Sequence, residues 1–215
     1  MALLHHAQLV PSKLDLVAGW ITAQPFGPAD ADPSSAERIA SFRFDDPAGK
    51  VGIETLIVRA GDATFQVPLT YREAPLAGAE ASLIGTMEHS VLGTRYTYDA
   101  VGDPVYVAEL VRAAVSGGSE VERYYEEDGE RKVKQGDAHA RGTGHPGADV
   151  PAVPADASAL VVSTGPASSV VSWDAGRVTV TRRIPDASAP APADARFVLL
   201  GSWGDVHDAV LATAG

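Results

Sequence analysis

The chain reads as an α+β domain in which consecutive antiparallel strands carry a packed helix, followed by further β-hairpins. Three observations point there. Residues 39–71 hold three segments of alternating apolar residues joined by short turns, residues 105–115 carry an apolar face at helical spacing, and four more strand-like segments follow residue 158. Hydrophobic residues make up 45% of the 215 and charged residues 21%, so there is apolar material for a sizeable core and wholesale disorder is excluded. At this length the chain holds one substantial domain or two small ones.

Taken in order, Pro11-Ser-Lys-Leu-Asp15 opens a short helix from Ser12, with a surface strand as the alternative for the residues before it. Gln24 to Ser35 is a turn-rich loop. Ile39 to Phe44 is a strand, Asp45 to Gly49 a turn, and Val51 to Arg59 a strand with Val51, Ile53, Thr55 and Ile57 on one face and Glu54, Leu56 and Val58 on the other. In the third strand, Thr64 to Tyr71, the residues Phe65, Val67 and Leu69 alternate, and Pro68 marks an open or bulged position. Leu76 to Leu92 is undecided, because Gly78 and Gly85 interrupt a partly helical pattern, and Gly93 to Asp99 is a short strand. Val105 to Val115 is a helix with Asp103 as N-cap, Pro104 in its first turn and Gly117-Gly118 as its end.

Glu120 to Tyr125 is a strand candidate, and residues 126–158 form a flexible, acidic, Gly/Pro-rich loop with little to bury against the entropy of ordering it. Then come Ala159 to Ser163, Ser168 to Trp173, Arg177 to Ile184 and Arg196 to Leu200. The Trp173-Asp-Ala-Gly-Arg177 junction is a hairpin with Gly176 available for positive φ. Residues 186–194 form an Ala/Pro/Ser loop, and Val206 to Ala212 is a closing strand or one helical turn. The division is therefore 1–125, 126–158 and a β-rich extension over 159–215 packed on the same domain. No internal repeat is visible.

Seventeen Lys and Arg stand against 28 Asp and Glu, a formal charge of −11, and such a field repels nucleic-acid phosphates and anionic lipid. Neither nucleic acid nor membrane is an expected partner. The absence of cysteine excludes a thiolate nucleophile and every cysteine-containing metal site. The N-terminal residues show no Arg/Lys-rich start, and their short apolar runs are interrupted by His5, His6, Gln8, Lys13 and Asp15, so a cytoplasmic protein is the expectation.

Motifs for chemistry are weak. Gly142-Thr-Gly-His-Pro-Gly147 lacks the strand and helix that a dinucleotide loop needs, and Asp46-Pro-Ala-Gly-Lys50 lacks the glycine spacing and the hydroxyl residue of a phosphate loop, so both read as turns. His5 and His6, or His139 and His145 with Asp137 and Asp149, present no rigid ligand set, and no metal or cofactor is expected. Glu88-His89-Ser90 has the residue types of a catalytic cluster, but adjacency does not aim three side chains at one pocket. No catalytic residue is assigned. Glu54, Glu88, Arg95 and Asp103 read first as ion pairs that lock turns. Trp20, Phe26, Trp173 and Trp203 read first as core or interface residues, with a carbohydrate groove as the alternative.

Read together, Pro11-Ser-Lys-Leu, Trp20 with Gln24-Pro-Phe, Gly52-Ile-Glu-Thr, Phe65-Gln-Val-Pro-Leu-Thr-Tyr-Arg, Leu83-Ile-Gly-Thr-Met-Glu-His-Ser-Val-Leu-Gly-Thr-Arg-Tyr-Thr-Tyr-Asp and Gly102-Asp-Pro-Val-Tyr resemble the N-terminal cap domain of actinobacterial maltokinases, especially its stand-alone forms. The resemblance covers most of residues 1–125 and implies a cystatin-like cap with a curved antiparallel sheet, in maltose, trehalose and glycogen metabolism. In full maltokinases the cap precedes a bilobal kinase domain. Here Ser168 to Arg183 only faintly resembles a kinase-lobe hairpin. No lysine follows Lys134, and there is neither a later His-x-Asp loop nor an Asp-Phe-Gly metal loop.

The resemblance thus implies a non-catalytic accessory module, its contact surface including Glu88 to Asp99 and exposed edges around Pro68. The partner is a carbohydrate-metabolic protein or a second copy of the chain. One alternative is binding of maltose, trehalose or a short α-glucan, with Trp20, Glu54, Glu88, His89, Arg95, Asp103 and Trp203 as candidate contacts. Another is a small glycoside-acting enzyme using Glu54 and Glu88, whose carboxyl groups would then sit roughly 5 to 9.5 Å apart across a cleft.

Overall fold

The computed structural model describes residues 2–3, 7–28, 32–127, 130–185, 190–193 and 195–215. The first half runs β1 (Ala2–Leu3), β2 (Leu9–Val10), α1 (Lys13–Ile21), β3 (Glu37–Asp45), β4 (Gly52–Ala60), β5 (Ala63–Arg72), β6 (Leu83–His89), β7 (Gly93–Asp99) and α2 (Pro104–Ser116). After α2 come β8 (Arg123–Glu127), β9 (Glu130–Lys134), β10 (His139–Gly142), β11 (Val161–Thr164) and β12 (Ser168–Trp173). The chain closes with β13 (Gly176–Thr181), β14 (Arg183–Ile184), β15 (Phe197–Trp203) and β16 (Val206–Ala214).

The main sheet is curled and antiparallel, in the order β2-β6-β7-β5-β4-β3, with β14 added to β5 beyond the end of β7. Both of its faces are covered. The even-numbered residues Leu56 and Val58 of β4 lie with Phe65, Val67 and Leu69 of β5 against Val17 and Ile21 of α1 and Phe26. The odd-numbered Ile53 and Ile57 join Phe42 and Phe44 of β3 and the buried side of α2. The period-two alternation of β4 and β5 is thus an alternation between two cores. Helix α1 begins as its sequence dictates, with Ser12 and Asp15 forming a reciprocal capping box. Helix α2 has Asp103 as N-cap, Pro104 at its first position and Gly117 at φ 71° as its left-handed cap.

A second sheet, β10-β15-β16-β13-β12-β11, packs into the same core as α2, with Val171, Val178, Val180, Leu199 and Leu211 buried beside Val107, Leu110 and Val111. The small third sheet pairs β1 and β9 on either side of β8.

Several expectations change. The undecided stretch before Leu92 becomes the strand β6 rather than a helix, and Gly85 lets Leu16 of α1 approach it closely. Val206 onward is a strand, and Gly176 does not take positive φ but lies against the Trp173 ring. Pro68 is buried, not on an exposed edge. The Gln66 N–H donates to the Arg182 carbonyl, so by alternation the N–H that Pro68 lacks would point into the gap between β14 and β7.

The largest change concerns residues 126–158. Residues 130–134 pair with β8, and β10 is an end strand of the second sheet with Ala138 and Ala140 buried. Gly142 and Gly144 are pressed against the end of α2, where a Cβ would stand 1.9 Å from the Ala113 carbonyl oxygen and 1.8 Å from that of Val115. The Gly144 N–H donates to the Ala114 carbonyl and the His145 N–H to that of Val115. The segment therefore satisfies helix carbonyls that would otherwise lack partners, and its glycines are there because no side chain fits.

Candidate functional site

Glu54 stands on the α1 face of β4, buried, at the centre of a charge cluster. Lys13, in the first turn of α1, forms an ion pair with its Oε2, the Tyr71 hydroxyl donates to the same oxygen at 3.1 Å, and the Lys13 ammonium lies 4.9 Å from the Tyr71 ring centroid. Burial alone would raise the carboxyl, but the charges of Lys13 and Arg43 and the bonds from Lys13 and Tyr71 outweigh it and bring it down to about 2. Burial, followed by the neighbouring Glu54 charge, pushes the Tyr71 hydroxyl well up. Glu54 is a fixed anion tying α1 to the sheet.

Glu88, His89 and Arg95 belong to the β6–β7 hairpin. Glu88 is exposed and accepts from the Thr94 hydroxyl at 2.8 Å, and His89 Nδ1 accepts from the Val91 and Leu92 N–H groups at 3.2 and 3.1 Å. Arg95 Nη2 donates to the Leu92 carbonyl. These polar contacts shape a turn whose tip carries two apolar side chains, Val91 at 57% and Leu92 at 44% exposure; on the neighbouring β2, Val10, paired with Glu88, is 68% exposed.

The other candidates lie elsewhere. Asp103 is fully buried, receives Arg72 through two bonds of 2.7 Å and caps α2 by accepting from the Val105 N–H at 3.0 Å. Trp20 stacks edge-on to Phe26 at 5.8 Å in the α1 core, whereas Trp203 is buried in the core shared with the second sheet. The two tryptophans therefore do not line one groove. Glu54 and Glu88 differ in the same way, one sealed into an ion pair and the other held at the surface by Thr94.

Two polar centres have no sequence signal, because each joins residues about 80 or more positions apart. Arg182, fully buried, precedes β14 and reaches both oxygens of Asp99 at the end of β7 at 2.7 and 2.6 Å, with its Nε donating to Ser169 Oγ. It bridges the gap that Pro68 faces and joins the main sheet to β12. The second centre is Asp137, which accepts from Arg38, from Arg123 and from the Ser41 N–H. Burial raises its carboxyl, but the Arg38 and Ser41 bonds prevail and hold it below the usual range. Arg123 and Ser41 also line a cleft of about 510 Å³ between β3, residues 119–122 and β9, together with Glu120, Lys134 and His139.

Among the described residues no three His, Asp or Glu side chains gather as a metal group, and no helix is long and apolar enough to cross a membrane. His5, His6 and Asp128 lie outside the described residues, as do 186–189 and 194 of the Ala/Pro/Ser loop.

Fold and side chains together define an α+β module whose polar clusters are mainly structural ties and whose main sheet carries a hairpin with an apolar tip. Residues 20–103 match the maltokinase N-terminal cap domain. The match takes in β3 to β7 and stops at the N-cap of α2. No curated protein matches the chain.

Proposed function

We propose that the chain is a non-catalytic cap-like module that acts by contacting another protein of maltose, trehalose or α-glucan metabolism. The observation that carries this reading is the exposed apolar pair Val91 and Leu92 at the tip of the β6–β7 hairpin, inside the matched region, with Val10 also exposed on the neighbouring strand β2. Exposed apolar side chains at a hydrogen-bonded hairpin tip, with the polar Glu88, His89 and Arg95 nearby, suit a protein interface. Within residues 1–215 no lysine follows Lys134 and no acidic Mg-ATP loop is present, so this module itself supplies none of the phosphoryl-transfer machinery.

The test is sedimentation of the purified chain with an isolated maltokinase catalytic domain and with trehalose- and glycogen-metabolising enzymes. A complex that Val91→Ser/Leu92→Ser weakens by about tenfold or more supports the proposal. A complex untouched by that variant, or none with any of these enzymes, overturns it. Saccharide binding is a second reading, and its best location is the Arg123 cleft, where Glu120, Ser41 and Lys134 offer both donors and acceptors. Calorimetry with maltooligosaccharides and trehalose tests it, and a flat titration removes it for those sugars.

A further inference from the structure

Among the described residues six strands stand at the ends of the three sheets and β14, two residues long, is a further short edge; of the six, five are protected. β1 and β2 are two residues long. β3 is covered where the Arg43 carbonyl accepts from the Val121 N–H and the Ser41 N–H donates to Asp137. β10 is covered by residues 118–120, through the Glu120 N–H to the Ala140 carbonyl and the Gly142 N–H to the Gly118 carbonyl. β9 carries Glu130, Arg131, Lys132 and Lys134, and charge of that kind blocks edge pairing.

The sixth is β11, Val161-Val-Ser-Thr164. Among the described residues it pairs only with β12, in register throughout and without a bulge. It holds no proline and no charge, and Val161 is 66% and Val162 38% exposed. The Gly165 N–H donates to the Ser168 carbonyl, so odd-numbered residues turn their backbone groups to β12 and Val162 and Thr164 turn theirs outward.

We propose that this edge pairs with β11 of a second copy of the chain about a two-fold axis at Ser163. Antiparallel pairing then sets Val162 opposite Thr164 of the other copy, and the reverse, which closes four N–H···O=C bonds and joins the two second sheets into one. The arrangement is self-complementary, as a two-fold interface requires. Charge also favours a second copy as the occupant. Residues 157–173 contain no charged side chain in a chain of net charge −11, so β11 offers nothing to a partner selected by opposite charge, and like chains meet there without opposed carboxylates. The remaining long-range repulsion is screened by salt. The proposal is independent of the hairpin contact above.

The test is sedimentation equilibrium over a concentration series at low and high salt, with hydrogen exchange read by mass spectrometry and NMR. The full chain should show reversible monomer–dimer exchange that tightens with salt, and the Val162 and Thr164 amides should gain protection as concentration rises while Val161 and Ser163 stay protected throughout. Thr164→Pro removes an outward N–H from each copy and should weaken dimerisation about tenfold or more at unchanged melting temperature. Thr164→Ala, which loses the hydroxyl that meets Ser169 and the γ-methyl but keeps the outward N–H, should dimerise like the parent. If Thr164→Pro does not fold, the protection pattern of the parent alone decides. A chain monomeric up to its solubility limit, or a dimer without concentration-dependent protection at Val162 and Thr164, overturns the proposal.

Discussion

At the scale of single residues the buried charges define what the protein tolerates. Glu54 titrates at about 2 when folded against an ordinary 4.5, so its stabilisation is fully present above about pH 4.5 and is lost as pH falls towards 2, in all roughly 3 kcal/mol. Glu54→Gln should therefore cost about 2–3 kcal/mol in urea unfolding at pH 7, and the difference from the parent should shrink steadily at pH 4 and pH 3. A cost that does not change with pH would mean the amide fails through packing rather than through lost charge. Arg182 is the sharper case. Arg182→Met leaves Asp99 without its cation between the sheets and should cost roughly 3–5 kcal/mol, whereas Arg182→Met combined with Asp99→Leu should recover much of that loss, because neither charge then remains to be desolvated. The sequence shows Glu54 interrupting an apolar strand and reads it as a structural ion pair; that the pair ties α1 to the sheet rather than locking a turn is seen only in the fold. It shows nothing of the Arg182–Asp99 pair, since 83 residues separate the partners.

At the scale of elements, legibility follows the range of the forces. Local chemistry set α1 and α2: the Ser12–Asp15 box, Asp103-Pro104 and Gly117 are signals confined to a few residues, and the structure uses each as a cap. The β3, β4 and β5 alternation is equally local. In the glycine-rich run from Gly142, Gly147 serves the turn that the sequence suggests, but Gly142 and Gly144 are explained only by the helix end they touch, some thirty positions earlier in the chain. Gly144→Ala should be among the most damaging small substitutions in the protein. Its Cβ would sit 1.8 Å from the Val115 oxygen, so the segment must lift off and abandon two helix carbonyls. The expected loss is about 2–4 kcal/mol in thermal or urea unfolding. Ala148→Gly, a few residues on, removes only a partly buried methyl and should cost about 1 kcal/mol. Equal losses at the two positions would show that the close approach is not what holds this segment.

At the scale of the whole molecule, the matched cap and the second sheet depend on each other. The family match ends at Asp103, yet the helix that follows is buried on nearly every side: Tyr106, Val107, Leu110, Val111, Ala113, Ala114 and Val115 are all in the core, which the second sheet helps to close. That sheet was visible in the sequence as separate hairpins. Its packing on the same domain is the sequence expectation, but the strands that tie it there are not legible, because β10 joins it across more than fifty residues and β14 leaves it to pair with β5. A fragment ending at Gly118 keeps the whole matched cap but loses Arg182, β14 and the segment that caps α2. It leaves Asp99 unpaired, the gap beside Pro68 open and one face of α2 in water. Apolar burial on that scale exceeds the net stability of an ordinary domain. The fragment should therefore lack a cooperative melting transition and near-ultraviolet circular dichroism, while the full chain melts in a single transition with a strong tryptophan and tyrosine signal. A fragment that melts sharply with native-like aromatic dichroism would instead mean that the cap sheet and α1 suffice for folding, and that the second sheet is an attachment the cap does not need.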